Sequence, residues 1–228
     1  MAHYVISDLH GEIDRFHRLL RNIHFSAEDT LYIIGDVIDR GPEGIAILRE
    51  VMAAKNMYML LGNHEYMMLD YFSPDATEVE IRRWNRNGNN PTLEGWYCLT
   101  SEEQEEMLSY LRSRPSHWKL ELDCGKFYLV HGFYGENVHD DVWLRPTPAW
   151  ENPLPGYRMI IGHTKVSSLG REQAEKEAYL ADLERKGEHL HIRHLPGFID
   201  IDCGCGYFEM PMRRLACLRL EDFAEFYA

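Results

Sequence analysis

No stretch of this chain approaches the roughly eighteen consecutive apolar residues that mark a membrane-spanning helix. The first residues, Met1 to Asp8, lack a basic segment running into a long apolar one, so no secretory leader is expected. Cysteine is scarce. Cys98, Cys124, Cys203, Cys205 and Cys217 are odd in number and do not have the spacing of a disulfide framework, which leads us to expect a reducing, cytoplasmic setting. Positive charge is also short: 24 basic side chains face 37 acidic ones, for a net charge of −13. Such a surface repels nucleic acid and anionic membranes, so neither is an expected partner. Repeats, low-complexity tracts and interdomain linkers are absent. What remains is 228 residues, 45% of them hydrophobic, enough to bury one substantial core.

Apolar periodicity organises the chain. Tyr4 to Ile6, Leu31 to Ile34 and Met57 to Leu61 read as buried strands, separated by amphipathic helices over residues 11–25 and from Pro42 onward. Strands alternating with helices imply βαβ units. Residues 65–113 form a helical insert, with a loop at 87–91 and a capping box expected at Ser101 and Gln104. The second half turns to strands. Trp118 to Leu122 and Phe127 to Val130 flank a hairpin signal at Asp123-Cys124-Gly125, and 159–161, 189–194, 198–201 and 215–220 follow. Residues 171–188 are charged and read as helical.

Five patches share one design, an apolar strand followed at once by residues able to bind a metal or an anion. They are Ser7-Asp8-Leu9-His10-Gly11, Gly35-Asp36-Val37-Ile38-Asp39-Arg40-Gly41, Gly62-Asn63-His64-Glu65, His131-Gly132 and Gly162-His163-Thr164. Any one of them alone is most simply a turn. In order, each after its own strand, they form a set, because strand ends of α/β folds converge on one edge. Mixed carboxylate and imidazole donors suit Mn(II), Fe(II) or Zn(II), whereas Mg(II) and Ca(II) prefer oxygen alone. A carboxylate shared by two cations holds them about 3.5–4 Å apart. For a phosphate-handling protein this acidic, bound metal supplies the local positive charge.

The set resembles the calcineurin-like metallophosphoesterases of the phosphoprotein-phosphatase type, in particular the bacterial and phage serine/threonine phosphatases and the symmetrical diadenosine tetraphosphate hydrolases. The resemblance implies an α/β fold, a four-layer αββα sandwich of two mixed β-sheets flanked by helices, as one domain over residues 1–228. It also implies two divalent metal ions, Mn(II) first, with Fe, Zn or Ni as alternatives. Asp8 and His10 would ligate one ion, Asp36 would bridge both, and Asn63, His131 and His163 would complete the second site. Arg40 would bind substrate phosphate, joined by Arg145 of Trp143-Leu144-Arg145. His64, oriented by Asp39, would be the general acid, and Asn63 and His64 would also face the phosphate. The implied reaction is direct in-line attack by hydroxide held between the metals. A phosphoprotein is the substrate implied first, a small phosphate ester such as a dinucleoside polyphosphate second, and a noncatalytic phosphate-binding module is the remote alternative.

Four features depart from the resemblance or extend it. Ser7 stands where the family usually has glycine. Phe133 follows His131-Gly132 and is expected to add bulk near the second metal, reshaping the pocket. The segment from Trp84 to Thr92 resembles a family loop and is expected at the cleft rim, and residues 171–188 are read as a lid or docking element. Cys203-Gly204-Cys205 and the histidines at 189, 191 and 194 are read as structural and surface features.

Overall fold

The computed structural model describes residues 1–228. Ten strands and eight helices follow one another along the chain. The first half comprises β1 (His3–Ile6), α1 (Ile13–Asn22), β2 (Thr30–Ile33), α2 (Gly44–Ala53) and β3 (Met57–Met59). Four helices then intervene: α3 (Asn63–Tyr71), α4 (Glu78–Asn85), α5 (Asn90–Tyr97) and α6 (Ser101–Arg112). The second half has β4 (His117–Leu122), β5 (Gly125–Val130), α7 (Val138–Trp143), β6 (Arg158–Ile161), α8 (Gln173–Lys186), β7 (Arg193–His194), β8 (Ile199–Asp200), β9 (Ala216–Arg219) and β10 (Glu225–Tyr227). No helix is long and apolar enough to cross a membrane.

The strands form two mixed five-stranded sheets, ordered β10-β9-β1-β2-β3 and β4-β5-β6-β8-β7, with helices flanking them. β1, β2 and β3 run parallel, as do β5, β6 and β8, while β9, β4 and β7 join antiparallel. The expected α/β sandwich of two mixed sheets is the observed one.

Strand alternation explains the layering, because successive side chains point to opposite faces. From β1, Tyr4 and Ile6 pack against Phe16 and Leu19 of α1 and Ile47 and Leu48 of α2. Val5 points the other way, into a second cluster with Phe127 and Leu129 of β5 and Ile160 of β6, which joins the two sheets. Tyr128, Val130, Met159 and Ile161 face outward from the second sheet and are covered by Phe133, Leu169 and Phe198.

Three local readings change. The cap of α6 is Thr100 with Glu103, one residue earlier than expected: Thr100 Oγ1 accepts from the Glu103 amide, and the Glu103 carboxylate accepts from the Thr100 amide at 2.8 Å. The loop expected over 87–91 ends early, because helix α5 starts at Asn90 with Pro91 in its first turn, where a missing N–H costs nothing. The strand expected over 189–194 shrinks to two residues. Helix α8 lies in the charged 171–188 stretch. It ends on Gly187 in the left-handed conformation and buries Leu183 in the cluster between the sheets.

Candidate active site

The strand ends of both sheets deliver the five patches to one place, and the loops carrying them are stitched together by backbone. The Asp8 amide donates to Gly35 O, the His10 amide to Asp36 O, the Gly41 amide to His10 O and the Gly162 amide to His131 O. Eight non-glycine residues have positive φ, and six of them belong here: Asp8, His10, Asp36, Asp39, Arg40 and His163. Left-handed backbone costs a side-chain-bearing residue about 1 kcal/mol or more, so its concentration at one site marks geometry held by its surroundings. Gly62 permits the closest approach, since a Cβ there would collide with Asp36 Oδ1.

Asp36 is central. Its Oδ2 lies 3.5 Å from His10 Nε2, and its Oδ1 lies 3.4 Å from His131 Nε2. Its two oxygens thus serve two separate groups of donors. His10, Asp36 and His64 have ligand atoms within 4.8 Å of one another, and so do Asp36, His131 and His163. Asp8 stands beside the first group, with Oδ1 4.0 Å from His10 Nε2. Its other oxygen accepts from the His163 amide at 3.1 Å and from the Ser7 hydroxyl, so Ser7 orients this carboxylate.

The donors fit metal ions. His10 Nδ1 donates to Ile38 O at 3.0 Å, which leaves Nε2 with no partner. His131 Nδ1 donates to Ile34 O at 2.8 Å, and its Nε2 then faces only acceptors, Asn63 Oδ1 at 3.0 Å and Asp36 Oδ1. His163 Nε2 is likewise buried without a partner. A backbone carbonyl on one imidazole nitrogen, with the other left for a cation, is the usual support of a metal-binding histidine. Burial, with Arg40 and His64 nearby, holds the His10 pKa well below the ordinary value, and burial with His131 and Arg145 does the same for His163. Both imidazoles are therefore neutral, as ligands must be. Burial alone would raise the Asp36 pKa, but the surrounding imidazoles, His131 foremost, outweigh it and keep the carboxylate ionised.

His64 sits at the edge of this cluster. Its Nδ1 donates to Asp39 Oδ2 at 2.6 Å, and its Nε2 accepts from Arg40 Nη2 at 3.0 Å. Asp39 is itself held by Trp84 Nε1 on Oδ2 at 2.6 Å and by the Thr92 hydroxyl on Oδ1 at 2.6 Å. The segment from Trp84 to Thr92 therefore lies beneath Asp39, with Trp84 fully buried, and not merely along the cleft rim. Its Gly88 carbonyl also accepts from the Arg40 amide at 2.8 Å. Arg145 reaches the same region from the α7 side, with Nη1 donating to His163 O at 3.0 Å.

Phe133 overturns its expectation. Its ring is buried on the outer face of the second sheet, edge-to-face with Trp150 and Phe198, and so cannot narrow the pocket. The sequence reading also passed over Glu65, although it stands in the third patch. Its buried carboxylate accepts from the amides of Asp36 at 2.9 Å, Val37 at 2.8 Å and Gly62 at 3.0 Å, and so ties two site loops to the start of α3. The legible signal was a glutamate three residues after Gly62, at the capping-box position.

Two mixed sheets whose strand ends gather histidine and carboxylate around a shared aspartate define a metal-dependent hydrolase. The family model of the calcineurin-like phosphoesterases matches residues 1–193, and the chain belongs to that family. The family implies divalent metal ions. A symmetrical bis(5′-nucleosyl)-tetraphosphatase of Delftia acidovorans is 39% identical over 117 residues, covering 50% of this chain and 38% of that protein. The chain thus spans about two fifths of the length of that curated relative. Among solved structures, a protein provisionally assigned as a diadenosine tetraphosphatase superposes with a TM-score of 0.62 at 16% identity, covering 100% of this chain and 92% of the other. A serine/threonine phosphatase of Saccharomyces cerevisiae superposes with a TM-score of 0.61 at 11% identity, covering 97% and 73%. At these identities the structures speak for the fold alone.

Proposed function

We propose that this phosphoesterase hydrolyses small molecules with phosphoanhydride chains, cleaving dinucleoside tetraphosphates symmetrically into two nucleoside diphosphates, and that residues 1–228 work as one domain. The observation that carries the phosphate-binding part of this reading is the positive charge around His64, which is held between Asp39 and Arg40 at the edge of the histidine–carboxylate cluster. Beside it, Arg40 and Arg145 form no ion pair with any carboxylate. Two unpaired guanidinium groups in a chain of net charge −13 call for an anion. The choice of anhydride over phosphoprotein rests on the activity for which the Delftia relative is named.

Asp8, His10 and Asp36 would hold one ion, and Asp36, Asn63, His131 and His163 the other, with Mn(II) the first choice and Fe, Zn or Ni compatible with the same donors. When bound, the two ions lower the pKa of water and neutralise phosphoryl charge. Arg40 and Arg145 grip the nonbridging oxygens and hold phosphorus in line. His64 delivers a proton from Nε2 to the leaving oxygen, while Asp39, fixed by Trp84 and Thr92, holds the ring through Nδ1.

The phosphoserine or phosphothreonine reading uses the same core and stands second. A side-by-side assay of the Mn(II)-loaded protein on diadenosine tetraphosphate and on a phosphopeptide separates the two. We expect kcat/KM at least about tenfold higher on the dinucleotide, with ADP as the only nucleotide product. A higher kcat/KM on the phosphopeptide would reverse the order, and AMP plus ATP as products would rule out symmetrical cleavage.

A further inference from the structure

The patch Gly162-His163-Thr164 continues into Lys165, to which neither the family resemblance nor the proposed mechanism gives a role. Its ammonium group lies 3.3 Å from the centroid of the Tyr207 ring. The guanidinium carbon of Arg40 lies 4.5 Å from the centroid of the same ring. Tyr207 itself is fixed against the site, because Gly206 lies so close to His10 that a Cβ there would collide with the imidazole. The backbone beside Lys165 is held as well, since the Val166 amide donates to Asp202 O at 3.0 Å.

Charge makes the arrangement unusual. Burial disfavours the charge on Lys165 most, Asp202 attracts it more strongly than either Arg40 or Arg145 repels it, and Asp8 attracts it least. Lys165 forms neither an ion pair nor a side-chain hydrogen bond, and the ring face is its close partner. A cation over an aromatic face is attracted to the ring but is not neutralised by it. Three cations thus stand around one edge of the site in a chain with 37 acidic side chains, and none of the three forms a direct ion pair with a carboxylate, Asp202 acting on Lys165 only through space. One phosphoryl group is served by the two arginines. Lys165, a compact point charge held on the same ring as Arg40, is surplus to a single phosphoryl group and suits a neighbouring one on the same chain.

We propose that Lys165, carried on the Tyr207 ring, binds the phosphoryl group adjacent to the one under attack, making this edge a second-phosphate subsite selective for phosphoanhydride chains over monoesters. The proposal rests on the anhydride reading above.

The test is Lys165→Gln in the metal-loaded protein, with Lys165→Arg as the conservative variant. On diadenosine tetraphosphate, kcat/KM should fall about tenfold or more further than on p-nitrophenyl phosphate, chiefly through KM, with Arg recovering part of the loss. A second readout does not depend on which substrate is physiological. With p-nitrophenyl phosphate as reporter, the inhibition constant of ADP should rise about tenfold in Lys165→Gln, while that of AMP rises much less. Tyr207→Leu should show the same ADP-selective weakening without removing a charge. Equal losses for ADP and AMP, or no loss for either, would overturn the subsite. Preference of the wild-type protein for a phosphopeptide, with ADP-selective weakening intact, would sink the anhydride reading and spare the subsite.

Discussion

Arg40 Nη2 and His64 Nε2 meet at 3.0 Å, and because a guanidinium can only donate, the imidazole nitrogen accepts. The opposite nitrogen donates to Asp39, so the tautomer is set from both sides. In this arrangement Nε2 carries no proton. To act as an acid, His64 must lose the Arg40 contact and take up a proton from water on Nε2, and a phosphate that draws the guanidinium away frees that nitrogen to do so.

That relationship predicts how His64→Asn should behave. Loss of the proton donor should slow hydrolysis of an alkyl phosphate, whose leaving oxygen needs protonation, by about 10²–10⁴-fold. The loss should be much smaller on p-nitrophenyl phosphate and on an anhydride, whose leaving groups depart as stable anions. Metal content by elemental analysis should match wild type. An equal loss across all leaving groups would remove His64 from the acid's role.

Asp36 predicts the metal stoichiometry. Because its two oxygens face different histidines, Asp36→Ala should disturb both sites at once, and elemental analysis should find well under two ions per chain. Chelation of the wild-type protein should abolish turnover, and Mn(II) should restore it. Retention of two tightly bound ions in the variant would show that Asp36 is not shared.

Thr92 supports Asp39 through two bonds, donating to Oδ1 and accepting from the Asp39 amide at 2.9 Å. Thr92→Val keeps the shape and leaves a buried carboxylate oxygen and a buried amide unpaired, at a cost of about 1–3 kcal/mol in denaturant unfolding. Since Asp39 orients His64, kcat should fall while KM changes little. A variant that loses stability but keeps full kcat would mean that Thr92 supports the fold alone.

His131 predicts a pH dependence. Burial alone would lower its pKa, but the Asp36 carboxylate beside it prevails and raises the value from 6.5 to about 9. A folded-state pKa raised above the unfolded one gives stability that is present below about 6.5 and lost as pH rises through about 9. Metal-free protein should therefore lose thermal stability over that window. Metal-loaded protein should not, because the cation replaces the proton on Nε2. Melting curves across the window, with and without chelator, should show a gap that widens with pH, and a constant gap would contradict the assignment.

Much of the site was legible because its signals are local. Asp8, His10, Asp36, Asn63, His131 and His163 each follow an apolar strand within a few residues, and parallel strands must bring such ends to one edge. The direction of Phe133 was not legible, since the face a side chain takes after a strand depends on how the loop leaves it. The cap of α6 slipped by one residue because Thr100 and Ser101 are both competent caps and only backbone geometry chooses between them.

Strand and helix periodicity were enough to specify βαβ units and motif order the donor types, because both are properties of short segments, while the two-sheet sandwich and the metal ions came from the family resemblance those motifs carry. The chain could not announce which distant residues would meet. Trp84 and Thr92 reach Asp39 across 45 and 53 residues, and Tyr207 comes to meet both Arg40 and Lys165. Those meetings depend on how two sheets pack and where their loops cross. That packing is the sum of many weak contacts spread over the whole molecule, none of them visible in a single motif.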